Sequence, residues 1–374
     1  MPDWTALRSH FPVARQWAFL DHAAVAPLPD VAGQALHDYA RSLMDHGIAS
    51  IAAWGDRLKQ VRQLSAKVIN ANVEDVCFIP NTTFGVGMIA EGFPWQPGDN
   101  VITAAEEYPT NQYPWMNLAS RGVEVRSIPS RGNRISIDDI RSVMDDKTKV
   151  LALSAIEFAS GFRNNLPLLG ELCRSRGVFF FVDAIQMLGM MPFDVQQLPV
   201  DALSADGHKW LLGPEGAGIA WVRREWVDRL RPVMVGWNSV KQPFDFNTIN
   251  LDYKPHAGRW EGGASNVPGL TAMGASIELL LSVGLDNVWS RIANLTDYLC
   301  DRAPHSGLEV FSSREANEKS GIVSLTKPGV DPASVMKTCR AAGVIVNNRH
   351  NRLRVSPHAW NSFEDIDRFL DSVR

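Results

Sequence analysis

The chain has 374 residues, of which 45% are hydrophobic and 21% charged, a length that favours two domains and a composition ordinary for a globular protein. A formal net charge of -4, with acids and bases interspersed, leaves no electrostatic footprint for nucleic acid or an anionic membrane, and neither is expected as a partner. The residues after Met1 lack the pattern of a secretory signal and no apolar run approaches bilayer length, so a cytoplasmic protein is expected. The four cysteines, Cys77, Cys173, Cys300 and Cys339, form no CxxC pair and suggest neither a disulfide frame nor a metal site.

In chain order, short apolar runs behind turn residues predict strands at 76–79, 100–103, 149–154, 178–182, 202–205 and 218–222. Helical spacing at 83–92, 113–121 and 168–176 falls between them, which predicts an α/β fold with successive strands parallel and helices covering the sheet. On such a sheet ligands bind beyond the carboxyl ends of the strands. Five loops, 81–83, 106–111, 155–158, 183–186 and 206–209, therefore converge on one crevice. Helices at 271–281 and 285–302 lead into strands at 343–346 and 353–356 and a closing helix at 362–373. The division is a large domain over residues 16–281 and a smaller α+β domain built from 1–15 and 282–374.

Two stretches carry chemistry. In FFFVDAIQMLG, residues 179–189, an apolar strand runs straight into Asp183, which either caps the next turn or waits for a cationic partner. In SADGHKWLLGPEGAG, residues 204–218, Lys209 sits between His208 and Trp210 before a glycine-rich loop, where burial would lower its pKa toward the neutral amine needed for a Schiff base. PNTTFGV, residues 80–86, places Thr82 and Thr83 at the start of a helical run, a setting that favours an anion or simply caps the helix.

A strand-end Asp followed by a strand-end His-Lys and a GPxGxG loop resembles the class V aminotransferase and cysteine desulfurase family of fold-type I pyridoxal-phosphate enzymes. The register extends from FLDHAAVAPLP at 19–29 to RLRVSPHAWNS at 352–362. The resemblance implies pyridoxal 5'-phosphate as cofactor, with Lys209 as the Schiff-base amine and Asp183 paired with the ring nitrogen. It further implies Thr82 and Thr83 at the phosphate, Gln186 at the phenolic oxygen, Tyr108 of EEYPTNQYPW stacked on the ring, and His208 beside the cofactor. Arg354 matches the arginine that clamps the substrate α-carboxylate, a task suited to a forked guanidinium. His22, Asn111 and Trp237 are further substrate-side candidates, and Tyr113, Asn238, Arg349 and His350 complete the expected pocket. A homodimer with shared sites is the family expectation.

The departures bear on the reaction. Ala155 and Phe158 stand where desulfurases carry His and Asn, and Asp206 replaces a phosphate-binding Ser. Gly263 and Ala264 replace the Gly-Thr pair that reaches the partner's phosphate, with Ser265 one step away. GVIVNNRHNRLR, residues 343–354, contains no nucleophilic Cys, and Cys339 lies on the preceding helical segment. Kynureninases carry a His at position 186 and a Tyr at 208, so that branch is disfavoured. The expectation is an amino-acid Cα enzyme, an aminotransferase or related lyase. The alternatives are an epimerase, since the chain also resembles isopenicillin N epimerase-like members, and a cofactor-fold protein that binds without catalysing.

Overall fold

The computed structural model describes residues 2–374. Its strands are β1 (Ala18–Phe19), β2 (Val76–Ile79), β3 (Asn100–Ala104), β4 (Glu124–Ile128), β5 (Thr148–Ser154), β6 (Phe179–Asp183), β7 (Ala202–Asp206), β8 (Gly218–Val222), β9 (Glu309–Val310), β10 (Val323–Thr326), β11 (Val344–Ile345), β12 (Asn347–Arg349) and β13 (Arg352–Val355). Seven of them form the central sheet in the order β2-β8-β7-β6-β5-β3-β4. β6 shows why the sheet is sandwiched: its successive side chains point to opposite faces, and all are apolar until Asp183. Phe179 and Phe181 enter the core on one face, whereas Phe180 and Val182 enter the core on the other.

The expectation that successive strands run parallel fails at one strand. β8 is antiparallel to both β2 and β7. The connection from β7 to β8 contains no helix, and without a crossover element the chain must return beside β7 in the opposite sense. β4 was not among the expected strands, because EVRSI carries charge and only Ile128 is buried.

Helix Val267–Val283 packs against helices Asp30–His46 and Ile51–Val68 on one face of this sheet. The C-terminal unit has an antiparallel sheet, β12-β13-β10-β9, and its own core of Leu295, Leu299, Val323, Leu325, Cys339, Leu353, Val355 and Phe369. The start of the chain contacts this unit. Arg8 pairs with Asp365 at 2.6 Å, Phe11 stacks on Trp360, and β1 pairs in parallel with β11. Ala18 and Leu20 enter the core of the C-terminal unit, whereas Phe11, Phe19 and Trp360 pack with the core on the central sheet. No single helix among the described residues is long and apolar enough to cross a membrane.

Candidate active site

The carboxyl ends of β5, β6 and β7 open onto a cavity of about 540 Å³. Its walls include Pro80 to Thr83, Tyr108, Ser154, Phe158, Asp183, Gln186, Asp206, His208, Lys209, Arg349 and Arg354. All five loops picked out by sequence contribute at least one lining residue.

Lys209 is buried, and burial pulls its ammonium pKa down to about 8, opposed by the charge of Asp183 and assisted by Arg354 and Arg349. Its Nζ lies 5.6 Å from the centroid of the Tyr108 ring, which itself meets Phe158 edge-on at 5.2 Å. Asp183 ends β6 with its Oδ1 accepting from the Ile185 amide at 3.0 Å. Burial raises its pKa to about 6, while that amide and Lys209 hold it down. Asp183 therefore both caps its turn and presents a carboxylate to the cavity.

Helix Thr82–Gly92 begins at the rim, where Asn81 caps it by accepting from the Phe84 amide at 2.9 Å. The amides of Thr82 and Thr83, in its first turn, have no intrahelical acceptor and are left for an anion. Thr82 Oγ1 accepts from the Asp206 amide at 3.0 Å, which fastens the helix start to the end of β7, and Thr83 Oγ1 lies 2.8 Å from Thr110 Oγ1. Gly85 permits the close approach: a Cβ there would stand 2.4 Å from the Ser204 Cβ.

The Asp206 carboxylate is turned toward its own loop. Oδ1 accepts from the Gly207 amide at 2.7 Å, and Oδ2 lies 2.9 Å from His208 Nδ1, out of line for a hydrogen bond. Gln186 is buried, donating to the Ala23 carbonyl at 3.1 Å and accepting from Trp210 Nε1 at 2.9 Å. One amide hydrogen of Gln186 remains free to face the cavity.

Arg354 is 1% exposed. Its terminal nitrogens donate to Asp21 Oδ1 at 3.1 Å and to the Phe158 carbonyl at 3.0 Å, and its Nε has no partner.

Three substrate-side candidates lie elsewhere. His22 is fully buried among Phe19, Trp360 and His358, with Nδ1 on the Ser356 carbonyl. Burial and the neighbouring His358 hold its pKa well below the usual histidine value. Asn111 is also fully buried, its Oδ1 accepting from Trp115 Nε1 at 3.0 Å. Trp237 is half exposed and packs at a tilt against Phe244 along a second cavity, bounded by residues 235–252. Tyr113 is exposed, Asn238 accepts from Lys254 at 2.8 Å, and His350 packs edge-on against Phe158, so of the further pocket candidates only Arg349 lines the cavity.

Sequence reasoning missed a buried acid pair beneath the site. Glu107 Oε1 and Oε2 each lie 2.5 Å from Ser154, at its amide and hydroxyl. Glu157 accepts from Asn164 at 2.8 Å and has one oxygen without a partner. Burial raises the pKa of Glu107 to about 8 and that of Glu157 well above the carboxylate range. The only sequence signal was position, since both lie in the strand-end loops.

A model of the aminotransferase class-V family matches residues 18–369. The chain belongs to that family. It is 26% identical to a probable cysteine desulfurase of Methanothermobacter thermautotrophicus, over 96% of this chain and 94% of that protein. It is 23% identical to the uncharacterized aminotransferase YcbU of Bacillus subtilis, over 98% and 96%. Among solved structures, the cysteine desulfurase CsdA of Escherichia coli superposes with a TM-score of 0.89 at 22% identity, covering 100% of this chain and 98% of that one. The cystine C-S lyase C-DES, with its product cysteine persulfide, superposes with a TM-score of 0.90 at 21% identity, covering 97% and 98%. The fold is that of fold-type I, and the chain is a pyridoxal-phosphate enzyme.

The residues present fit that cofactor. A buried carboxylate at a strand end, an amine held near neutrality by burial, and an anion-ready helix start open onto one cavity.

Proposed function

We propose that the chain acts at Cα of an amino acid, as an aminotransferase or related lyase. The observation that carries this reading is that Lys209 and Asp183 face one cavity that no cysteine lines. Asp183 would hold the ring nitrogen, Gln186 the phenolic oxygen, the Thr82 and Thr83 amides with His208 the phosphate, and Tyr108 would cover the ring. When bound, pyridoxal phosphate supplies an electron sink for the charge left at Cα.

With a pKa near 6, Asp183 is ionised at neutral pH and would favour a proton on the ring nitrogen it would hold. Arg354 orients the substrate through its carboxylate. Lys209 Nζ, its pKa near 8, takes the Cα proton and can return it at a different atom, within the reach of one side chain. Phe158 and Tyr108 line the cavity beside that amine.

Sulfur mobilisation through a protein thiol is disfavoured. Arg349 pairs with Arg352 across a two-residue turn, His350 and Asn351, both with positive φ (47° and 59°), so β12 and β13 form a tight hairpin with no loop to carry a nucleophile. Cys339 is buried in the C-terminal core, where burial pushes its thiol pKa up.

We assign the chain to a homodimer as well. Met234, Trp237, Phe244, Phe246, Ile249 and Leu251 are all exposed, an apolar patch of the kind that marks an interface. The loop with Gly263, Ala264 and Ser265 lines a cavity that shares Pro80 and Gly216 with the main one, and Asn266 donates to the Gly216 carbonyl at 2.9 Å. Light scattering of the wild type and of Phe246→Asp tests this: a dimer that becomes monomeric supports it, and a monomeric wild type rejects it.

Incubation with amino acids in deuterated water tests the reaction. Keto acid or pyruvate formation supports transamination or elimination. Exchange at Cα with neither product points to an epimerase and overturns the reading.

A further inference from the structure

Two guanidiniums face the cavity, but the protein supplies only one carboxylate for them. Arg354 is paired with Asp21 Oδ1 at 3.1 Å. The other oxygen of Asp21 accepts from Asn347 Nδ2 at 2.7 Å, and Asn347 Oδ1 accepts from Arg349 at 2.7 Å. Arg349 also donates to the Asn348 carbonyl at 2.8 Å. Both acceptors of Arg349 are neutral, and both bonds use the same terminal nitrogen. Among the described residues Arg349 makes no ion pair, although it lines the cavity with Arg354 and Lys209.

The hairpin holds that arrangement in place. Asn347 stands opposite Arg354 and Arg349 opposite Arg352 in the β12–β13 register, and the left-handed residues His350 and Asn351 close the turn between them. The neighbouring basic group does not share its position, because Arg352 is drawn to Ser324 Oγ at 3.1 Å and lies over the Phe311 ring. The field of Arg349 reaches the reacting amine, since both guanidiniums help to depress the Lys209 pKa. An uncompensated cation in a partly buried wall is costly unless an anion completes it.

The anion is not the cofactor phosphate, whose candidate subsite lies on the large-domain elements at Thr82, Thr83 and His208. We infer that Arg349 binds a second acid group on the substrate, so that the enzyme prefers an α-amino acid with a short anionic side chain, such as a carboxylate or sulfinate. Arg354 takes the α-carboxylate and Arg349 the distal one. The side chain is short because a cavity of about 540 Å³ must hold the cofactor as well. This inference rests on the amino-acid reading above.

The experiment uses ligands without an amine, which bind but cannot react. Dissociation constants of succinate and glutarate are compared with those of butyrate and valerate on the cofactor-loaded enzyme. The wild type should prefer the dicarboxylates by about tenfold or more, and Arg349→Gln should weaken them by roughly 10- to 100-fold, the scale of one charge-assisted bond, while moving the monocarboxylates by less than about threefold. Arg349→Lys should recover part of the preference, and KM for aspartate or glutamate should rise in Arg349→Gln with little change for alanine. Equal weakening of both ligand classes would make Arg349 a holder of the α-carboxylate and overturn the inference, as would a wild type that does not discriminate. Failure of the underlying reading looks different: no borohydride-reducible bond between cofactor and Lys209 would form, whatever the carboxylates do.

Discussion

Asp206 Oδ2 lies 2.9 Å from His208 Nδ1 at the end of β7, so a carboxylate that would repel a phosphate stands against an imidazole instead. Both line the cavity, and both are largely shielded from water. Removing the imidazole alone uncovers the buried carboxylate beside an anion subsite. His208→Ala should therefore weaken cofactor binding by roughly tenfold, and Asp206→Asn added to it should recover most of that loss. Titration of the apoprotein with cofactor checks this cycle, and additive losses would show that the two side chains act independently.

Burial places the Lys209 pKa near 8, well below the usual lysine value. The amine becomes a nucleophile only on losing its proton, so the initial rate of covalent cofactor capture by the apoprotein should rise through about pH 8 and level off above it. Stopped-flow absorbance with excess cofactor measures the profile. Lys209→Ala should abolish capture at every pH, and a wild-type midpoint near 10 would mean that the site does not desolvate the amine.

Arg354 and Asp21 bring the hairpin of the C-terminal unit to the segment that follows β1, and both are buried. Asp21→Ala leaves a buried guanidinium with only the Phe158 carbonyl to face, at a cost of about 3 kcal/mol. Replacing both, as Asp21→Ala with Arg354→Met, should cost less than Asp21→Ala alone, because no charge is then stranded. Denaturant midpoints of the three variants decide the order.

The central strands and the Lys209–Asp183 axis were legible because burial on both faces forces near-continuous apolar runs such as Phe179 to Val182, and their polar terminators stand out. β4 was not, since an edge strand tolerates Glu124 and Arg126. The reversed sense of β8 was hidden because strand patterns do not encode direction. His22, Asn111 and Trp237 do not line the main cavity, and what engages each, Trp360, Trp115 and Phe244 respectively, is identified only by tertiary contact. Arg349 showed its charge in sequence but not its lack of a counter-ion, which depends on Asp21 choosing Arg354.

The buried acid beneath the site carries its own signature in stability. The Glu107 pKa rises from 4.5 to about 8, first through burial and, against the hydrogen bonds from Ser154, through the charge of Asp183. Between those two values the folded state holds a proton that the unfolded state has released, so the contribution of Glu107 to stability is fully present below about pH 4.5 and is lost as pH climbs through 8. A neutral carboxyl can donate its O–H to Ser154 Oγ, and a glutamine amide reproduces that pattern. Glu107→Gln should accordingly match the wild type near pH 5 and become the more stable protein above pH 8. The separation in apparent unfolding midpoint should reach roughly 3–6 °C at a fixed scan rate. A pair of curves that stay parallel from pH 5 to 9 would mean that Glu107 is ionised throughout, with its charge held by the Ser154 amide and hydroxyl.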